Sequence, residues 1–194
     1  MPLTPFHYPA GYILSKTSRR LSLPGLLVGS VIPDIEVPLM WIFFPGVYDH
    51  LVLHSLIGVL TVGTLLAVLV TRIFYPPIIS FFFRLNYQEV KQACRITPML
   101  VLSCMLGALF HVIVDIPMHP YNPVLWPWVN PGDIVGSVVV FFAEEGNIAL
   151  GFIRANTLFT AIMTVLGSII LAVNLGKGMW KRLWIGDIDN SYSQ

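Results

Sequence analysis

Charge is what this chain has least of: Asp, Glu, Lys and Arg together make up 11% of it, and the formal net charge is +1. Eleven scattered Lys and Arg cannot build the basic face that a phosphate backbone demands, so nucleic acid is excluded as a partner. Cysteine is scarce too. Cys94 and Cys104 stand ten positions apart, roughly 15 Å on a helix, which is too far for a disulfide between them. The first residues hold Pro2, Pro5, His7 and Pro9 where a signal peptide would carry its charged start. No small-residue cleavage site follows an unbroken apolar core, so no cleavage is expected. There is no internal repeat and no low-complexity run.

What the chain has in excess is apolar surface: 56% of residues are hydrophobic and the mean hydropathy is +0.77. A soluble domain of this size would not show that composition, which predicts an all-α, integral membrane helical bundle. A spanning helix needs about 20 mostly apolar residues, and four stretches qualify: 21–44, 51–74, 96–117 and 148–175. The apolar run at 134–143 is too short to cross and is expected to be re-entrant or interfacial. The segment 76–95 mixes Phe81, Phe82 and Phe83 with Arg84, Glu89, Lys91 and Arg95, as an amphipathic piece lying in the interface would. One membrane domain over 1–186 is expected, with a polar tail at 187–194 that frays.

Lys16, Arg19 and Arg20 precede the first span, Arg72, Arg84, Lys91 and Arg95 lie between the second and third, and Lys177, Lys181 and Arg182 follow the fourth. Because cytoplasmic loops collect Lys and Arg, both termini and the middle loop are predicted to be cytoplasmic, with the loops at 45–50 and 118–147 facing outward. Pro120, Pro123, Pro127 and Pro131 stiffen the second of these loops, and Tyr121, Trp126 and Trp128 suit it to the headgroup level.

Against this background the five histidines stand out, since ionisable groups at membrane depth are costly and usually mark function. His111 and Asp115 are four residues apart near the outer end of the third span and share one helix face. Pro117 and Pro120 end that helix and free His119 to turn toward the same centre. His54 lies at matching depth at the outer end of the second span, with His50 four residues before it read as structural. Asp34, after Pro33, sits deeper in the first span; Glu36, two residues on, falls on a different side of a regular helix and is the weaker ligand candidate. His7 reaches the others only if the segment from Thr4 to Leu14 dips into the bundle. Ser55 has neither an elbow motif nor a base at the needed spacing, so serine hydrolase chemistry is not expected. Arg154, in the outer third of the fourth span, is a candidate for holding a substrate phosphate or for pairing with Asp34, Asp115, Glu144 or Glu145.

These residues fall in ordered blocks: Thr4-Pro5-Phe6-His7, Gly29-Ser30-Val31-Ile32-Pro33-Asp34, His54-Ser55, and Gly107-Ala108-Leu109-Phe110-His111 running to Asp115 and His119. Over roughly residues 1–120 the pattern resembles small bacterial and archaeal membrane proteins of unknown function related to predicted membrane-bound metal-dependent hydrolases. The chain departs from that pattern at Ile116-Pro117-Met118, where a small hydroxylated residue is common before the last His. The resemblance implies that His7, Asp34, His54, His111, Asp115 and His119 are the polar positions of one site.

Histidine nitrogen and carboxylate oxygen suit zinc first, with manganese or iron as alternatives, and six candidates leave room for one ion with orienting partners or for two ions. The expected function is a membrane-embedded metal-dependent hydrolase acting on a lipid or headgroup ester, with Asp34, His54 and Asp115 in catalytic roles. The protein is expected in the plasma membrane of a prokaryote, with membrane lipid as its partner and source of substrate. Two other classes stay open: a metal-ion or proton transporter using the same residues, and a structural protein whose polar groups fasten helices together.

Overall fold

A computed structural model describes residues 7–186, and these are helical without strands. In order they form α1 (Tyr8–Thr17), α2 (Leu23–Gly29), α3 (Glu36–Phe43), α4 (Leu56–Gly58), α5 (Thr64–Ile73), α6 (Tyr75–Phe83), α7 (Tyr87–Ala93), α8 (Pro98–Asp115), α9 (Ser137–Phe142), α10 (Ile148–Val173) and α11 (Met179–Trp184). Four segments are long and apolar enough to cross a membrane: Leu23–Phe43, Leu56–Ile73, Pro98–Met118 and Ile148–Val173. The tail at 187–194 and the Thr4-Pro5-Phe6 part of the first block lie outside the described residues.

Local chemistry sets most of the boundaries. Thr97 accepts the Leu100 N–H at 3.1 Å with Pro98 at the first helical position, and Asn147 accepts the Leu150 N–H at 3.0 Å, so α8 and α10 begin at capped ends. The second span starts five residues later than the sequence predicts, at Leu56. The N–H groups of Leu51, Val52 and Leu53 donate to the Glu36 carboxylate at 3.1, 2.6 and 3.0 Å, which leaves 51–55 irregular. Ser55 then caps the helix by accepting the Gly58 N–H at 3.0 Å. A wider π-type turn over Val59–Gly63 joins α4 to α5, and Thr64 Oγ1 donates to the Val59 carbonyl at 2.7 Å inside it.

The first span is broken rather than continuous, which the reading of 21–44 as one helix does not contain. Pro33 has no N–H to give the Gly29 carbonyl, and the Asp34 N–H turns to the Val31 carbonyl at 3.2 Å. The Ser30 carbonyl is therefore released from the ladder at membrane depth, where a backbone group must find a partner within the protein.

The packed centre is α2, α5 and α8. Gly29 and Gly107 let α2 and α8 touch backbone to backbone: a Cβ on Gly29 would run into the Cys104 carbonyl, and one on Gly107 into the Leu26 carbonyl. With Gly25 four residues before Gly29, this is the small-residue spacing that brings membrane helices close. The Ser22 N–H also donates to Ser103 Oγ at 2.8 Å. By contrast α10 is only 6% buried, against 39–44% for the other three spans, so it stands outside the packed trio and touches mainly α9 and α1.

The short helix α1 enters the bundle, as a functional His7 requires, and lies against α2 and α10. Its Tyr12 hydroxyl and Asn174 at the end of α10 bond to each other, and its Tyr8 hydroxyl donates to the Leu183 carbonyl of α11 at 2.8 Å. The segment 76–95 forms α6 and α7, tied to α11 by Lys181 Nζ on Glu89 Oε2 at 2.6 Å. Within 134–143 the structure has the six-residue α9, which is too short to cross.

Candidate metal centre

The i, i+4 spacing on α8 brings His111 and Asp115 together, with His111 Nε2 3.1 Å from Asp115 Oδ2. His111 is fully buried, and its Nδ1 bonds the Ser30 carbonyl at 2.7 Å. The group that the broken first span leaves without a helical partner is thus what fixes this ring. With Nδ1 fixed there, Nε2 points at the carboxylate. The same break puts Asp34 Oδ1 3.5 Å from His111 Nε2.

Three further histidines gather at Asp115, two at its carboxylate and one at its backbone carbonyl. His54 Nε2 lies 3.9 Å from Asp115 Oδ2, and its Nδ1 is 3.1 Å from Glu36 Oε2. His7, immediately before α1, stacks on His111 with ring centres 4.1 Å apart and brings Nε2 to 4.0 Å from Asp115 Oδ1. His119 follows the turn Ile116–Met118 in an extended conformation and donates from Nδ1 to the Asp115 carbonyl at 3.0 Å. All six residues expected at one site are therefore brought together.

Six buried atoms here have no hydrogen-bond partner among the described residues: Nε2 of His7, His54, His111 and His119, and both Asp115 carboxylate oxygens. Orphaned groups of this kind are few in a native structure, and each calls for a cause. Protons cannot supply it for the whole set. Burial, reinforced by His111, pushes the His7 imidazole down to about 3, and burial likewise lowers His54 and His119. These rings stay neutral, the form that ligates metal. A divalent cation satisfies several lone pairs and the carboxylate at once, and nitrogen with carboxylate oxygen is a donor set that zinc, manganese and iron accept.

Sequence reasoning passed over Glu36, because a regular helix would point it away from Asp34. In the structure it stands behind His54 and holds that ring, a role visible in sequence only if the break at Pro33 is foreseen. Glu36→Gln is expected to weaken metal affinity about 10- to 100-fold, as loss of an orienting carboxylate does, and to loosen 51–55, where the same carboxylate accepts the N–H groups of Leu51, Val52 and Leu53; competition with a chelating dye and a melting curve measure the two effects. His50 lies closer to the site than its structural reading implies, its ring centre 4.3 Å from that of His54. Ser55 has the helix-capping role already described, in keeping with the exclusion of serine hydrolase chemistry.

Arg154 is not part of the cluster: its Nη1 pairs with Glu144 Oε1 at 2.6 Å on an exposed surface. Of the two roles considered for it, the structure has the pairing. A small pocket lined by His50, His54, Asp115, His119, Tyr121 and Asn122 adjoins the centre.

A sequence model of the domain of unknown function DUF4184 matches residues 1–192. The match extends well past residue 120, where the blocks read from the sequence end. No curated protein and no solved structure matches the chain.

Proposed function

The chain belongs to the family of the domain of unknown function DUF4184, and we propose that it is a membrane-embedded metal-dependent hydrolase acting on a lipid or headgroup ester. The observation that carries this reading is the set of six orphaned atoms of His7, His54, His111, His119 and Asp115, residues gathered at the C-terminal end of α8. A divalent ion bound there, zinc first, supplies a water acidified to near neutral pH. His54, His111, Asp115 and Asp34 are its closest holders, with His7 and His119 completing the set.

The chain's own residues have separate tasks. The Ser30 carbonyl and the Glu36 carboxylate hold the rings of His111 and His54 with Nε2 toward the centre. Asp34 takes the proton of the attacking water, whose oxygen bonds to the phosphorus or acyl carbon as the ester bond breaks; the leaving alcohol takes a proton in return.

The orientation follows from charge. Arg72 donates to the Lys91 carbonyl and Lys181 pairs with Glu89, so basic residues from the middle segment and α11 share one end of the bundle. We assign that end to the cytoplasm of a prokaryotic plasma membrane. The centre then lies toward the outer leaflet, and α1 rises to it from the cytoplasmic side.

The test pairs metal analysis by mass spectrometry with hydrolysis of a phospholipid panel in mixed micelles. His111→Ala is expected to lose bound metal and activity together while eluting and unfolding as a native protein. Undiminished hydrolysis in that variant overturns the assignment. One observation favours a transporter as the second reading: the unwound stretch of the first span lies beside the cluster, as in carriers whose broken helices coordinate ions. Proteoliposome flux in proportion to an ion gradient would establish that reading in place of the enzyme.

A further inference from the structure

The cluster offers more ligand atoms than one ion takes, and they divide into two sets. His7, His111 and Asp115 form one, and Asp34, His50 and His54 the other; within each, one ligand atom per residue lies within 4.8 Å of the rest. Carboxylates join the sets. Asp115 Oδ1 lies 4.0 Å from His7 Nε2 of the first set, while Oδ2 stands between the sets, 3.1 Å from His111 Nε2 and 3.9 Å from His54 Nε2. Asp34 Oδ1, of the second set, is 3.5 Å from His111 Nε2 of the first.

His50 is equipped for this role. Its side chain is buried, with its ring centre 4.9 Å from that of His119 as well as near His54. Its Nδ1 lies 2.6 Å from Asp49 Oδ1, and Asp49 also accepts from the Tyr121 hydroxyl and, at 3.1 Å, from Trp41 Nε1. A carboxylate on Nδ1 fixes a ring and leaves Nε2 the better donor, and Glu36 does the same for His54. One orienting carboxylate for each of two neighbouring rings is more than helix fastening needs.

Resting on the metal-centre reading above, we propose that the site holds two divalent ions bridged by the Asp115 carboxylate, one bound by His7 and His111 and the other by Asp34, His50 and His54. Asp49 is the positioning residue for His50. Two ions about 3.5–4 Å apart clamp the attacking and leaving oxygens of an in-line displacement at phosphorus, which narrows the substrate class from esters in general to phosphoesters.

The experiment is a manganese titration of the purified full-length chain in detergent, followed by metal analysis and electron paramagnetic resonance. Two Mn(II) per chain with an exchange-coupled multiline spectrum are expected. His50→Ala should retain one, with the simple hyperfine sextet of an isolated ion. Wild type saturating at one Mn(II), or binding two that are uncoupled, overturns the bridged pair and leaves a single-ion centre standing. A chain that binds no manganese, zinc or iron overturns the metal-centre reading itself. His50→Ala that still binds a coupled pair removes His50 from the ligand set. The wild-type spectrum decides the bridged pair even if the variant fails to fold.

Discussion

Asp115→Ala is expected to abolish the rise in melting temperature that zinc or manganese gives the wild-type chain, while leaving the metal-free protein nearly as stable as before. Without metal, both Asp115 oxygens are buried among imidazoles without a well-formed hydrogen bond, His111 Nε2 at 3.1 Å from Oδ2 being the nearest group. Removing them takes away groups that gain nothing from their surroundings, so the cost is the packing of one small side chain, about 1 kcal/mol. With metal at roughly a thousand times its dissociation constant, the wild type gains about 4 kcal/mol by mass action, and a variant that cannot bind gains none. Thermal unfolding in detergent, with and without chelator, measures both. An equal fall in the two conditions would mean that Asp115 fastens helices through a protonated His111 and holds no ion.

Gly107→Leu is expected to lower stability and metal content together, although residue 107 is not among the candidate ligands. The added side chain must push into the Leu26 carbonyl of α2, backbone that cannot swing aside. Overpacking of this kind costs about 1–3 kcal/mol in a filled core, and here the strain falls on the crossing that sets the distance between α2 and α8. Ser30, just past the end of α2, moves with that helix, and the bond from its carbonyl to His111 Nδ1 is lost. The ring is then free to turn Nε2 away from Asp115. Metal analysis alongside a melting curve checks the coupling: a destabilised variant with full metal content would show that His111 holds its orientation without Ser30.

Hydropathy made the four spans legible, because the cost of burying polar groups in hydrocarbon leaves long apolar runs no alternative role. The pairing of His111 with Asp115 was legible for a similar reason, since four positions on a helix can only be neighbours. His7 was harder. Its place depends on α1 folding back beside α2, and that is set by contacts with Asn174 and Leu183, more than 160 residues away in the chain. The hold of Glu36 on His54 was not legible, because the break at Pro33 changes which side of the span each later residue faces. His50 lies in an irregular stretch, where spacing carries no direction, and only the surrounding Asp49 and Tyr121 contacts reveal its orientation. Arg154 pairs within ten residues, with Glu144, a local option among the four considered.

The ring of His7 stacked on His111 also bears on the order of assembly. During synthesis α1 leaves the ribosome before any of the spans, whereas His111, Asp115 and His119 arrive only with the third. The His7 ring therefore has none of these partners until the third span has been made. The contacts that pin α1, Tyr12 with Asn174 and Tyr8 with Leu183, can form only after those later residues have been made. Closing the centre is thus a late event in biogenesis, and any ion it takes up is captured by a chain whose membrane insertion is already nearly complete.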